Sequence, residues 1–195
     1  MIDFVEIGDF LDGPACAALR AELRQADGGP ATVLSQAPGG TSRPQIRRTT
    51  RLAPPVATRE RVTRLLLQRA AELARHFGRE LAECEEPQFL RYREGDFFVA
   101  HQDGNTPGIH DQSRFRKISA VIFLSVQAQE PAPDCYGGGA LVLHGPYSGP
   151  TLRVPLAPAP GTLVCFPAET THEVMPVTHG ERFTIASWFR GKEPG

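Results

Sequence analysis

The spacing of apolar residues changes near the middle of the chain. In the first part they recur at helical intervals. Residues 13–26 place Leu19 and Leu23 four apart on one face, with Asp12 as N-cap, Pro14 in the first turn and Gly28, Gly29 and Pro30 as a stop. Residues 57–77 carry the clearest stripe, Val62, Leu65, Leu66, Leu73 and Phe77, and Gly78 suits a C-cap. Between the two helices, residues 45–52 read as a strand. From residue 87 the pattern becomes short β-branched and aromatic runs bounded by Gly, Pro or Asp. It predicts strands near 88–93, 97–102, 117–126, 139–144, 151–156, 161–166, 172–177 and 182–189.

Several short strands with regular turn signals point to a mainly β fold, a sandwich or jelly roll, with the N-terminal helices bracing the larger sheet. The expected organisation is one domain over 1–195, a helical part at 1–86 and a jelly-roll core at 87–191, with no internal repeat and no long linker. Residues 104–116 and 127–138 read as long loops of the kind that contact or cover a substrate.

Composition narrows the partners. The formal net charge is −1, and the only basic cluster is Arg43, Arg47, Arg48 and Arg51, which reads as a solvated face; no nucleic-acid partner is expected. Cys16, Cys84, Cys135 and Cys165 form no CxxC pair, which disfavours a thiolate zinc site or a disulfide framework and fits reduced thiols in a cytoplasmic protein. Asp3, Glu6 and Asp9 near the start do not read as a secretion signal, and no apolar run is long enough to predict a membrane span.

The candidate chemistry begins at His101-Gln102-Asp103. On a strand, residues two apart point to one side, so the imidazole and the carboxylate would converge. His172, in a late strand, is the candidate third ligand. Two histidines and one carboxylate are the ligand set of non-haem Fe(II) oxygenases, because three protein ligands leave three coordination positions for a 2-oxo acid and O2. Arg182, ten residues after His172, is the candidate clamp for the far carboxylate, since its planar fork makes two hydrogen bonds to such a group. Thr178, His179 and Gly180 read as a hairpin turn that pairs His172 near Ala186 and sets Arg182 and Thr184 on the same face.

Four segments carry a resemblance: YREGDFFVAHQD (Tyr92 to Asp103), ISAVIFLS (Ile118 to Ser125), YGGGALVL (Tyr136 to Leu143) and HEVMPVTHGERFTIASWF (His172 to Phe189). Together the C-terminal half resembles the prolyl 4-hydroxylase-like branch of the Fe(II)/2-oxoglutarate-dependent dioxygenases, near the hypoxia-sensing prolyl hydroxylases. The resemblance implies a double-stranded β-helix with the metal inside its open end. It implies that Tyr92 contacts the 2-oxoglutarate region, that Trp188 packs beneath the metal site, and that Gly138 and Gly139 give a tight entry to the strand that follows. Phe123 stands where the hypoxia-sensing enzymes carry a tyrosine that bonds the cosubstrate.

The expected reaction is hydroxylation of a C–H bond with release of succinate and CO2, using Fe(II), 2-oxoglutarate, O2 and ascorbate as reductant. By resemblance the substrate is a prolyl residue of a protein or peptide, with Arg114, Arg116 and Trp188 as substrate-side candidates. Three other readings stay open from the residues alone: a small-molecule hydroxylase on the same scaffold, a cupin-like metal-binding module without turnover, and a zinc hydrolase. Oligomeric state, pathway and hydroxylated position are not legible.

Overall fold

Asp12 caps the first helix as its sequence requires, its carboxylate accepting from the Ala15 N–H at 2.7 Å. The computed structural model describes residues 2–33, 41–104, 112–145 and 152–192. In chain order the elements are β1 (Val5–Ile7), α1 (Gly13–Gln25), β2 (Gly28–Pro30), β3 (Arg47–Arg48), β4 (Thr50–Leu52), α2 (Val56–Leu67), α3 (Ala70–Phe77), β5 (Glu83–Cys84), β6 (Gln88–Tyr92) and β7 (Phe97–His101). They continue with β8 (Arg116–Phe123), β9 (Val126–Gln127), β10 (Cys135–Gly138), β11 (Leu141–His144), β12 (Arg153–Leu156), β13 (Leu163–Pro167), β14 (His172–Val174), β15 (Val177–Gly180) and β16 (Arg182–Arg190).

The expected helix over 57–77 is two helices. After α2 the Arg69 N–H bonds to Leu66 O, an i to i−3 step that breaks the regular ladder before α3. Gly78 ends α3 in the left-handed conformation, φ 60°, as a C-cap glycine should.

The strands form a large sheet in the order β1-β13-β8-β16-β6-β4-β2, with β5 beside β16, and a smaller sheet in the order β12-β11-β14-β7-β3. This is the double-stranded β-helix, with helices on the outer face of the large sheet. Alternation along β16 sorts its side chains. Phe183, Ile185 and Phe189 face the helices and join Leu19, Leu23, Val62, Leu66 and Leu73 in one core. The alternate residues Arg182, Thr184, Ala186 and Trp188 point inside. There Leu90, Tyr92, Phe123, Leu141, Leu143, Phe166 and Val174 form a second core between the sheets.

Two sequence expectations fail at the level of pairing. Thr178–Gly180 is not a turn but part of β15, which pairs with β10 in a separate three-stranded sheet with β9. His172 does not pair near Ala186. It pairs with His101 and Leu143 in the small sheet, while Ala186 pairs with Gln88 and Val121 in the large one. The expected loop at 127–138 therefore ends in a strand, β10. Of the expected loop at 104–116, residues 105–111 lie outside the described residues, Gln112–Phe115 is a 3-10 helix and Arg116 opens β8.

Candidate metal centre and cosubstrate pocket

His101 is the last residue of β7 and faces His172 of β14 directly across the small sheet, with ring centroids 4.2 Å apart. Asp103 reaches the same point, but not by strand alternation. It lies beyond the end of β7, in a bend whose Asp103 and Gly104 N–H groups both donate to Ala168 O, at 3.0 and 2.9 Å. Nε2 of His101 is 3.5 Å from Asp103 Oδ1, and Nε2 of His172 is 3.4 Å from Asp103 Oδ2. One ligand atom from each of the three residues falls within 4.8 Å of the others. That is a facial set that can hold a divalent metal.

Each imidazole is oriented by its own backbone. Nδ1 of His101 lies 2.8 Å from Val99 O, and Nδ1 of His172 lies 2.9 Å from Thr170 O. Each Nδ1 therefore carries a proton and each Nε2 is turned to the shared point. Phe98 stacks on the His101 ring at 3.5 Å, and Phe166 meets His172 edge-on at 4.8 Å. Burial works against ionisation of Asp103, yet the nearby His172 charge and the close contacts with both imidazoles outweigh it and hold the carboxyl well below its usual range. Burial and the His172 charge depress His101, whereas the Asp103 carboxylate overcomes burial at His172 and raises it.

Arg182 is fully enclosed, with 1% of its surface exposed. It starts β16 opposite Tyr92, and its guanidinium carbon lies 5.1 Å from the Tyr92 ring and 5.2 Å from the Phe123 ring. Among the described residues its one hydrogen bond is from Nη1 to Thr184 Oγ1 at 3.3 Å, and its Nε has no partner there. No carboxylate among the described residues pairs with it. A buried cation without an anion is costly, and the cost is relieved when a ligand supplies the carboxylate. The stem needs the Gly139 position to be small: a Cβ there would sit 3.0 Å from Arg182 Cδ and 3.2 Å from Tyr136 Cε2. The Tyr136 hydroxyl is also buried without a partner among the described residues. The residues fit a dicarboxylate cosubstrate whose far end meets Arg182.

The remaining expected residues divide. Thr184 is buried beside Arg182, and its hydroxyl accepts the Arg182 hydrogen bond. Arg116 was expected to grip substrate from a loop, but its guanidinium is already engaged. It makes 2.7 Å bonds to both Glu85 oxygens and a 3.2 Å bond to Asp103 O, and it stacks 3.8 Å above Trp188. Trp188 is 6% exposed and spends a ring face on Arg116. Arg114 is exposed in the 3-10 helix, over the Phe115 ring. Arg47, read as part of a solvated basic face, is 9% exposed and lies over Phe98, with Nη1 donating to Thr32 O. Sequence reasoning missed Ser119, whose hydroxyl donates to Asp103 Oδ2 at 2.7 Å. The signal was present: Ser119 is a polar residue at an inward position within the otherwise apolar run Ile118 to Phe123. It also missed Phe98 and Glu85; Glu85 had no local signal.

A double-stranded β-helix with a two-histidine, one-carboxylate centre and a buried, unneutralised arginine defines the architecture of 2-oxo-acid-using, non-haem iron oxygenases. The comparisons agree. A family model described as the 2OG-Fe(II) oxygenase superfamily matches residues 87–190, and the chain belongs to that superfamily. It is 36% identical over 105 residues to a PKHD-type hydroxylase of Paracoccus denitrificans, a match covering 52% of this chain and 41% of that protein. The matched region thus spans about two-fifths of such relatives. A PKHD-type hydroxylase of Bordetella pertussis is 28% identical over 190 residues, 95% of this chain and 77% of that protein. Among solved structures, a Pseudomonas putida prolyl-4-hydroxylase superposes with a TM-score of 0.74 at 24% identity, covering 99% of this chain and 95% of that one. Among the described residues, no helix is long and apolar enough to cross a membrane.

Proposed function

We propose that the protein is an Fe(II)- and 2-oxoglutarate-dependent dioxygenase that hydroxylates a prolyl residue of a protein or peptide and releases succinate and CO2. The observation that carries this reading is Arg182: a buried cation with no counter-ion among the described residues, inside the same barrel as the His101–Asp103–His172 centre. The metal-binding module and the zinc hydrolase give no reason to keep such a group, because neither uses a second carboxylate ligand. Bound Fe(II) and 2-oxoglutarate would supply the oxidising chemistry from O2, with ascorbate as the reductant that maintains the iron.

The chain's own part is to bind, orient and exclude water. His101, Asp103 and His172 hold the metal. Their Nδ1–carbonyl bonds fix the imidazoles before any ligand arrives. Arg182 and Thr184 receive the far carboxylate of the cosubstrate, and the Tyr92 and Phe123 rings flank the guanidinium so that water is excluded there. The prolyl substrate rests on the P. putida likeness and the family; Arg114 is the exposed cation proposed to meet it. One domain over 1–195 and a cytoplasmic setting belong to the same proposal.

The test is succinate formation from 2-oxoglutarate with anaerobically loaded Fe(II), ascorbate and O2, with proline-containing peptides added. Iron-dependent succinate in the wild type, lost in His172→Ala and falling at least about 100-fold in kcat/KM in Arg182→Ala, is the expected result. Peptide stimulation with a 16 Da gain on proline supports the substrate. Absence of both turnover and the visible charge-transfer band of the Fe(II)–2-oxoglutarate complex would sink the oxygenase reading.

A further inference from the structure

We infer that Ser119 is the positioning residue that keeps Asp103 a one-oxygen metal ligand and so holds a coordination position open. The inference rests on the proposed metal centre, although its first test needs no cosubstrate.

Ser119 is 1% exposed and sits on the inward face of β8, opposite Trp188 of β16. Its hydroxyl donates to Asp103 Oδ2 at 2.7 Å, the distance of a charge-assisted bond. The backbone of Asp103 is pinned independently. Arg116 donates to its carbonyl at 3.2 Å, and its N–H donates to Ala168 O at 3.0 Å. Arg116 is itself fixed by the paired 2.7 Å bonds to Glu85 and by the Trp188 ring beneath it. The carboxylate can therefore neither translate nor turn freely, and one of its two oxygens is assigned to a donor other than the metal.

The coordination arithmetic gives this bond its meaning. An octahedral ion with two imidazoles and one carboxylate oxygen keeps three positions free. A carboxylate chelating through both oxygens would occupy one of them. A 2-oxo acid needs two positions and O2 needs a third, so chelation by Asp103 would compete with one of the two. A hydroxyl on Oδ2 opposes chelation by occupying a lone pair and by holding the carboxylate plane in place. Alanine at position 119 removes that opposition without adding volume, and threonine retains it.

The experiment loads the full-length protein with Mn(II), without cosubstrate, and counts metal-bound waters from the broadening of the Mn(II) EPR lines in 17O-enriched water. Three waters are expected in the wild type and in Ser119→Thr, and two in Ser119→Ala. Ser119→Cys has nearly the side-chain volume of serine but a weak donor, so it should follow alanine and serves if Ser119→Ala does not fold. Three waters in both Ser119→Ala and Ser119→Cys, or two in the wild type, would overturn the inference. A second arm titrates 2-oxoglutarate anaerobically into the Fe(II) forms by the charge-transfer band. Ser119→Ala should weaken its Kd roughly 10-fold, with threonine restoring it. If the wild type shows three waters and alanine two while no form binds 2-oxoglutarate, the oxygenase reading fails and the role of Ser119 stands.

Discussion

The two faces of β16 follow opposite rules. On the outer face Phe183, Ile185 and Phe189 are sealed against the helices in an apolar core, and the one polar residue there, Ser187, donates to Glu85 O at 2.7 Å. On the inner face, among the described residues, Arg182 is buried without an anion and the indole N–H of Trp188 has no partner. A single strand thus carries satisfied packing on one side and unsatisfied polar groups on the other. The contrast teaches where folding free energy is gained and where it is withheld for a ligand. It also makes the two faces separable by substitution.

The largest effect should come from the inner face. Arg182→Met removes the unpaired cation and keeps the stem, so 2-oxoglutarate affinity should fall about 100-fold or more by calorimetry. The Tm of the metal-free protein should stay level or rise, because an uncompensated buried charge is gone. A large drop in Tm would show that Arg182 is a structural residue and would dissolve the contrast between the faces.

The outer face should answer in the reverse way. Leu66→Ala, in α2 against the large sheet, should cost about 2–5 kcal/mol of stability, which for a chain of this size lowers Tm by roughly 5–20 °C. Cosubstrate affinity measured well below that Tm should be unchanged. Loss of affinity in step with stability would mean that the helices shape the pocket directly.

A third prediction concerns pH and applies to the metal-free protein. Asp103 has a folded pKa below its unfolded value of about 3.9, so its contribution to stability is present above that pH and is lost as pH falls through the folded value. His172 has a folded pKa above its unfolded value of about 6.5; its contribution is present below that pH and is lost as pH rises through the folded value. The two overlap between about pH 4 and 6.5. The Tm difference between wild type and Asp103→Asn should be widest there and narrow on both sides; a flat profile would show that the pair adds nothing to the fold.

The smallest effect is chemical. Burial, opposed by the Ser187 contact, pushes the Cys84 thiol up to about 11, so at pH 8 only about one molecule in a thousand carries the thiolate. Iodoacetamide should modify Cys84 far more slowly in the folded protein than in urea; equal rates would mean that the β5–β16 edge opens freely.

Much of the fold was legible because its determinants are local. Asp12, Pro14 and Gly78 act within one turn of chain, and their placement was right. Alternation along Phe183 to Phe189 likewise separated the two faces of β16. The break after Leu67 was not legible, because the apolar stripe runs on across it. β10 and β15 were missed for a related reason: Gly137, Gly138 and Thr178–Gly180 look like turn residues, and only their pairing with each other makes them strands. Glycine is required there: Gly138 and Gly139 both have φ near +60°, which side chains disfavour.

The candidate residues were legible in the sequence by type, since only certain side chains bind a divalent ion or a carboxylate, and His101, Asp103 and His172 suit the first and Arg182 the second. What the sequence could not provide was how they meet. Asp103 was assigned to a strand face and is instead placed by a bend tied to Ala168. His172 and Arg182, ten residues apart, were assigned to one hairpin and belong to different sheets that face each other across the barrel. Ser119, Arg116 and Glu85 acquire their roles through contacts spanning 13 to 31 residues of chain. The reason is physical. Residue type and short-range spacing fix which groups are available and which way each leans along its own strand. Which groups share a point in space depends on closing two sheets over one core, and that is decided by packing across the whole chain.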